Sequence, residues 1–194
     1  GDGTFMTIAL IEPPAIEPIQ LADAKAHLRV DGDDDDTLIG VAITAARVHV
    51  EALTRRMLIS QQWRVYLDAW PRRRIVTLPP APLISVDAVT VYDAAGEPHA
   101  VAPEAYEVDT VSVPGRLVPG DLQAPGQAVN GIEIDVTAGY GPSGVDVPAP
   151  LRQAMMMLVA HWYEHRGPAG HDLAGHVPPS GFEALIAPYR ILAL

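Results

Sequence analysis

The chain has no cysteine, so thiolate nucleophiles, Cys-ligated zinc and a disulfide framework are all excluded. Basic residues are scarce: 13 Lys and Arg stand against 24 Asp and Glu, for a formal net charge of −11. Neutralising phosphates takes clustered Lys and Arg, so this balance argues against a general nucleic-acid binder. No uninterrupted apolar run approaches the ~18–20 residues of a membrane span, and no signal-peptide pattern is expected at the start. Catalytic signatures are missing too. There is no G-x-S-x-G or Walker loop, and Ser60, Ser85, Ser112, Ser143 and Ser180 lack the neighbours that mark a nucleophile.

Proline and glycine are plentiful, at 19 and 16 residues, and they imply many short elements joined by abrupt turns. With 194 residues the chain suits one medium domain, or one domain carrying an insertion. A fold of that size buries roughly 70% of its unfolded surface and stands without metal or disulfide.

The most telling stretch runs from Ala138 to Arg166. Gly139-Tyr140-Gly141-Pro142 makes a turn, Pro148 and Pro150 sit where a helix begins, and Gly167-Pro168 stops it. Between them Leu151, Met155, Leu158 and Trp162 recur at helical steps, widened by Met156, Val159 and Tyr163. That predicts a core helix of roughly 25 Å. Upstream, Ile19–Val30 reads as a short amphipathic helix. Thr37–Met57 reads as a long one, with Ile39, Ile43, Ala46, Val50, Leu53 and Met57 in one stripe.

At Ser60 the period changes. Trp63, Val65 and Leu67 alternate with polar neighbours, and further strands are expected at Ile75–Leu78, Val86–Tyr92, Tyr106–Val111 and Ile132–Thr137. Pro79-Pro80, Asp93–Gly96, Pro114-Gly115 and Pro119-Gly120 read as connectors. The fold class is therefore α+β. A helical core of two N-terminal helices and a long C-terminal helix carries an inserted small antiparallel β module. The expected boundaries are an extended, flexible arm over 1–18, helical core over 19–60, β insertion over 61–138, helical core over 139–166, and a loop and tail over 167–194. Residues 1–5, ahead of Met6, read as a non-native leader. In the tail, Phe182, Leu185, Ile186 and Tyr189 fall at helical spacing until Pro188 interrupts.

Three clusters invite chemistry. His161-Trp162-Tyr163-Glu164-His165 matches H-x-x-E-H, so a zinc-dependent hydrolase is the alternative to weigh. A zincin needs another carboxylate well downstream, however, and only Glu183 follows Asp172; two histidines flanking a core helix is the better reading. With His171 and His176 the region invites adventitious nickel or zinc. Asp31–Asp36 resembles a calcium loop, but its sixth and twelfth positions hold Asp36 and Ala42, where an EF-hand needs Gly and Glu. Asp residues capping a helix and meeting its positive end are expected instead. Arg72-Arg73-Arg74 is the one basic cluster, read as a solvated hairpin tip.

The order of the pieces carries a resemblance. PIQLADAKAHLRVDGDDDD, LPPAPLISVDAVTVYDAAGE, YEVDTVSVPGRL, IEIDVTAGYG, DVPAPLRQAMMMLVAHWYEHR and VPPSGFEALIAPYRIL follow one another over residues 18–192. That succession resembles the phage head–tail connector (adaptor) proteins, with their equivalents in prophages and gene transfer agents. The resemblance implies a structural protein, not an enzyme, with no cofactor and no metal. It implies a ring, expected to be dodecameric, below the portal vertex, where it prolongs the DNA channel and receives the next neck or tail-completion protein. DNA would pass without specific binding along a wall whose acidic surplus repels it, and no membrane would be involved. The location implied is the neck of a virion or phage-like particle, with host cytoplasm during assembly. Carried onto this sequence, Phe182, Leu185, Ile186, Tyr189, Arg190, Ile191 and Leu192 become the expected portal contacts. The resemblance also implies that truncation before Gly181 leaves a folded chain unable to hold the portal.

Overall fold

A computed structural model describes residues 5–165 and 178–191. The chain forms two compact units, one from the described residues of Ile16–Ile59 and Gly141–Leu194, the other from those of Gly1–Ala15 and Ser60–Tyr140.

The helical unit contains α1 (Leu21–Leu28), α2 (Asp36–Thr54), α3 (Ala149–Glu164) and the short α4 (Phe182–Ile186). α2 buries Ile39, Ala42, Ile43, Ala46 and Val50, and α3 buries Leu151, Ala154, Met155, Leu158, Val159 and Trp162. These are the stripes expected from 3.6-residue periodicity, and they pack against each other. α2 stops before Met57, three residues short of the sequence reading, because Arg55 turns left-handed (φ 57°). Arg29 closes α1 in the same way (φ 58°), a position where glycine is the usual occupant. By length and mean hydropathy (1.3) α2 reaches the range of a membrane span, although no uninterrupted apolar run does; 39% of that window is buried. Its inner stripe belongs to the core of this unit, and its outer side is also apolar.

The β unit holds two antiparallel sheets. The larger has the order β1-β2-β8-β4-β5, from β1 (Met6–Glu12), β2 (Gln61–Leu67), β4 (Leu83–Tyr92), β5 (Pro98–Ala100) and β8 (Ile132–Ala138). The smaller has the order β3-β7-β6, from β3 (Val76–Leu78), β6 (Tyr106–Asp109) and β7 (Gly115–Pro119). β8 is central. Ile132, Ile134, Val136 and Ala138 point inward and are buried, alternating with Glu133, Asp135 and Thr137. Val65 and Leu67 of β2, Val89 and Val91 of β4, and Val76, Leu78 and Leu117 complete the same core. On the opposite face Arg64 clamps Asp135 through Nε and Nη2 (2.6 and 2.9 Å) and reaches Glu133 (3.2 Å).

The N-terminal arm is a strand over Met6–Glu12, in register with β2 from Met6↔Leu67 to Leu10↔Trp63. Its prolines, Pro13, Pro14 and Pro18, all follow that strand, so the stiffness they impose starts only where pairing ends. β5 and β7 were not expected as strands.

Candidate functional site

The C-terminal segment is built onto the helical unit by a glycine hinge. Gly181 sits at φ 91°, a conformation that side chains resist, and it lets the chain turn directly into α4. Phe182, the first residue of α4, is fully buried, 6.0 Å from the His49 ring, which in turn meets Trp162 edge-on at 6.2 Å. Ile186, one turn on, is also fully buried. Beyond α4 a 3-10 turn spans Ala187–Tyr189, with Pro188 in its first turn. Two hydrogen bonds then fix the segment to the end of α2. Arg56 Nε donates to the Tyr189 carbonyl (2.6 Å), and the Ile191 amide donates to the Thr54 carbonyl (3.0 Å).

The structure therefore divides the expected contact residues. Phe182 and Ile186 are core side chains of their own unit. Leu185, Tyr189 and Ile191 are half-buried, and Arg190 is exposed with its guanidinium on Glu183 (2.6 Å). Leu192 lies outside the described residues. The family resemblance groups all seven together; burial splits them. Truncation before Gly181 would remove two fully buried side chains and both ties to α2, so the truncated chain is expected to lose stability as well as contacts.

The acidic run before α2 differs from expectation in its detail. Asp35 occupies the N-cap position but caps nothing; its Oδ2 accepts the Tyr163 hydroxyl at 2.5 Å. Asp36 lies in the first turn of α2, where the helix dipole favours it. Lys25 Nζ bridges Asp33 (2.8 Å) and Asp36 (2.6 Å). These contacts, Asp33 first, raise the ammonium above its ordinary value, while Lys25 holds the Asp33 carboxyl below its own. Within the chain, Lys25 counters two carboxylates of the run.

The remaining clusters resolve simply. Arg72–Arg74 lie exposed between β2 and β3, and Arg74 Nη1 donates to the Gly120 carbonyl (3.1 Å). The His161 and His165 rings lie one turn apart at the end of α3, centres 4.3 Å apart and tilted by 39°, with His165 Nδ1 2.8 Å from the His161 carbonyl. Glu164 is exposed. Among the described residues no three His, Cys, Asp or Glu side chains come together as metal ligands.

Comparisons with known proteins bear on this arrangement. The family profile of phage gp6-like head-tail connector proteins matches residues 18–95. A chain in the neck of an empty GTA particle, computed with C6 symmetry, is 30% identical, with a TM-score of 0.81 and 97% of each chain covered. A chain in the virion of a native gene transfer agent (GTA) particle is 28% identical, with a TM-score of 0.78 and 96% of each chain covered. A third, from the neck of a native GTA particle computed with C12 symmetry, is 28% identical at a TM-score of 0.67, covering 95% of this chain and 97% of its own. Comparison with curated protein sequences yields no match. Matched by the connector profile and 30% identical to a neck chain over nearly its whole length, the chain belongs to the phage head–tail connector family.

Proposed function

We propose that the chain is a structural connector that closes into a ring below the portal vertex of a tailed phage or phage-like particle. There it extends the DNA channel and joins the head to the next neck or tail-completion protein. The observation that carries this reading is the match to a neck chain across 97% of both chains, supported by a neck relative computed with C12 symmetry. The role is structural, not catalytic, and the place of action is the particle neck, reached from the host cytoplasm during assembly. The net charge of −11 suits a channel wall that DNA passes without adhering.

Portal docking falls to the C-terminal segment, in a narrower form than the resemblance implies. Phe182 and Ile186 hold the platform from within. Leu185, Tyr189, Arg190 and Ile191 carry the surface available to the portal, with Leu192 beyond them. An aromatic and an arginine beside aliphatic neighbours are the residue types that anchor interfaces.

The test is capture of the chain by purified portal. Tyr189→Ala combined with Arg190→Glu keeps the buried pair in place, so the variant is expected to fold and to lose at least tenfold in portal affinity. A folded variant that binds portal like the parent would move the docking surface elsewhere.

A further inference from the structure

α2 has a second stripe. Thr37, Val41, Thr44, Val48 and Ala52 follow at steps of four and three, all exposed, with Val41 and Val48 54% and 52% exposed. At roughly 100° per residue they lie opposite Ile39, Ile43, Ala46 and Val50, the stripe turned into the core. Gly40 and Ala45 flank them, and with Thr37, Val41 and Thr44 they line a shallow cleft of about 520 Å³. The Thr44 hydroxyl donates to Glu17 (3.0 Å), which leaves it satisfied within the chain. From Thr37 to Ala52 the stripe carries no charge, in a chain where 19% of residues are charged. A helix apolar on both sides is one that is buried on both sides.

We propose that this outer stripe of α2 is the face on which one copy of the connector receives a second copy of the same chain. The proposal rests on the ring reading above. A cyclic ring is closed by head-to-tail contacts, so each copy must offer its neighbours a face distinct from its portal-docking one. Identical copies carrying −11 each repel one another unless the surfaces brought together hold no uncompensated charge; the stripe itself has no charged side chain, and the Glu17 carboxylate beside Thr44 is paired with Arg47 (2.8 Å). Its Val, Thr, Ala and Gly side chains are short, which permits the close approach of an apolar neighbour over roughly 22 Å.

Because the chain has no cysteine, Val48→Cys places a single thiol on the stripe. The purified variant is labelled with a thiol-reactive diazirine, added to heads from a strain lacking the gene, and irradiated. The expected product has twice the 20.7 kDa chain mass, with both peptides from this chain. Val111→Cys, 91% exposed in the β unit, should give at most a tenth as much. Val41→Asp with Val48→Asp, both at exposed sites, should melt like the parent yet suppress ring formation at least tenfold. Adducts to another particle protein, adducts confined to one chain, or no adduct on chains bound to heads would overturn the proposal and leave the connector role standing. Failure of the labelled and unlabelled chains alike to bind heads would overturn both.

Discussion

Phe182→Ala removes the largest fully buried side chain of the C-terminal segment. The ring sits 6.0 Å from His49, on the aromatic contact that includes Trp162, and its site cannot collapse fully because α4 is tied down beyond it by the Arg56–Tyr189 and Ile191–Thr54 hydrogen bonds. Truncating a buried phenylalanine to alanine costs about 3–5 kcal/mol, as lost transfer energy plus the cavity left behind. For a chain of this size each kcal/mol moves the midpoint by about 2–4 °C, so a fall of roughly 6–20 °C is expected. Thermal unfolding followed by far-ultraviolet circular dichroism measures it, with Arg190→Ala as the reference. That substitution removes only an exposed ion pair with Glu183, worth about 0–1 kcal/mol, and should shift the midpoint by only a few degrees. If Phe182→Ala melted like Arg190→Ala, the placement of α4 in the helical core would be wrong. The segment would then be free to give all its apolar residues to the portal.

Four further outcomes follow from the geometry. Glu51, buried in α2, accepts the Leu58 amide (2.9 Å) and pairs with Arg47 (2.9 Å), so Glu51→Ala should cost about 3–5 kcal/mol in urea unfolding, and Glu51→Gln clearly less. Ser112 and then Arg116 hold the Asp109 carboxyl well below the usual carboxylate range, a contribution fully present at neutral pH and lost progressively as pH falls from the unfolded carboxylate's value through that depressed one. Asp109→Asn should therefore lower the melting point at pH 7, with the gap from the parent narrowing only below about pH 4; a gap that stayed constant into acid would contradict the assignment. A Cβ at Gly115 would meet Leu83 Cβ at 2.6 Å, so Gly115→Ala should destabilise by about 1–3 kcal/mol. Gly40→Ala in α2 meets nothing within 4 Å and should stabilise the isolated chain by about 1 kcal/mol, which paired melting curves would check.

Much of the fold was legible because the apolar residues of α2, α3, β2 and β8 keep a single period from end to end. β1 alternates weakly as MTIALIE, but Pro13, Pro14 and Pro18 just beyond it are equally compatible with an unpaired extended arm. β7 was hidden for a related reason. Pro114-Gly115 and Pro119-Gly120 read as two turns, yet the three residues between them pair with β3 on one side and β6 on the other. Three-residue β5, beginning with Pro98, is too short to show a period. The C-terminal segment shows the sharper limit. Phe182 and Ile186 at helical spacing predict a helix with an apolar face, but the same spacing serves a face turned to its own core and one turned to a partner. Asp35 illustrates the point again, since its position at the start of α2 was readable while its bond to Tyr163, 128 residues away, was not. The outer stripe of α2 was present in the sequence as Thr37, Val41, Thr44 and Val48, masked by the stronger inner stripe beside it.

The joining role is tested most directly by deleting the gene in a producing strain and imaging the lysate by negative-stain electron microscopy. The connector account predicts DNA-filled or emptied heads and free tails accumulating separately, with joined particles restored when the gene is supplied in trans. Normal tailed particles in the absence of the gene would contradict it.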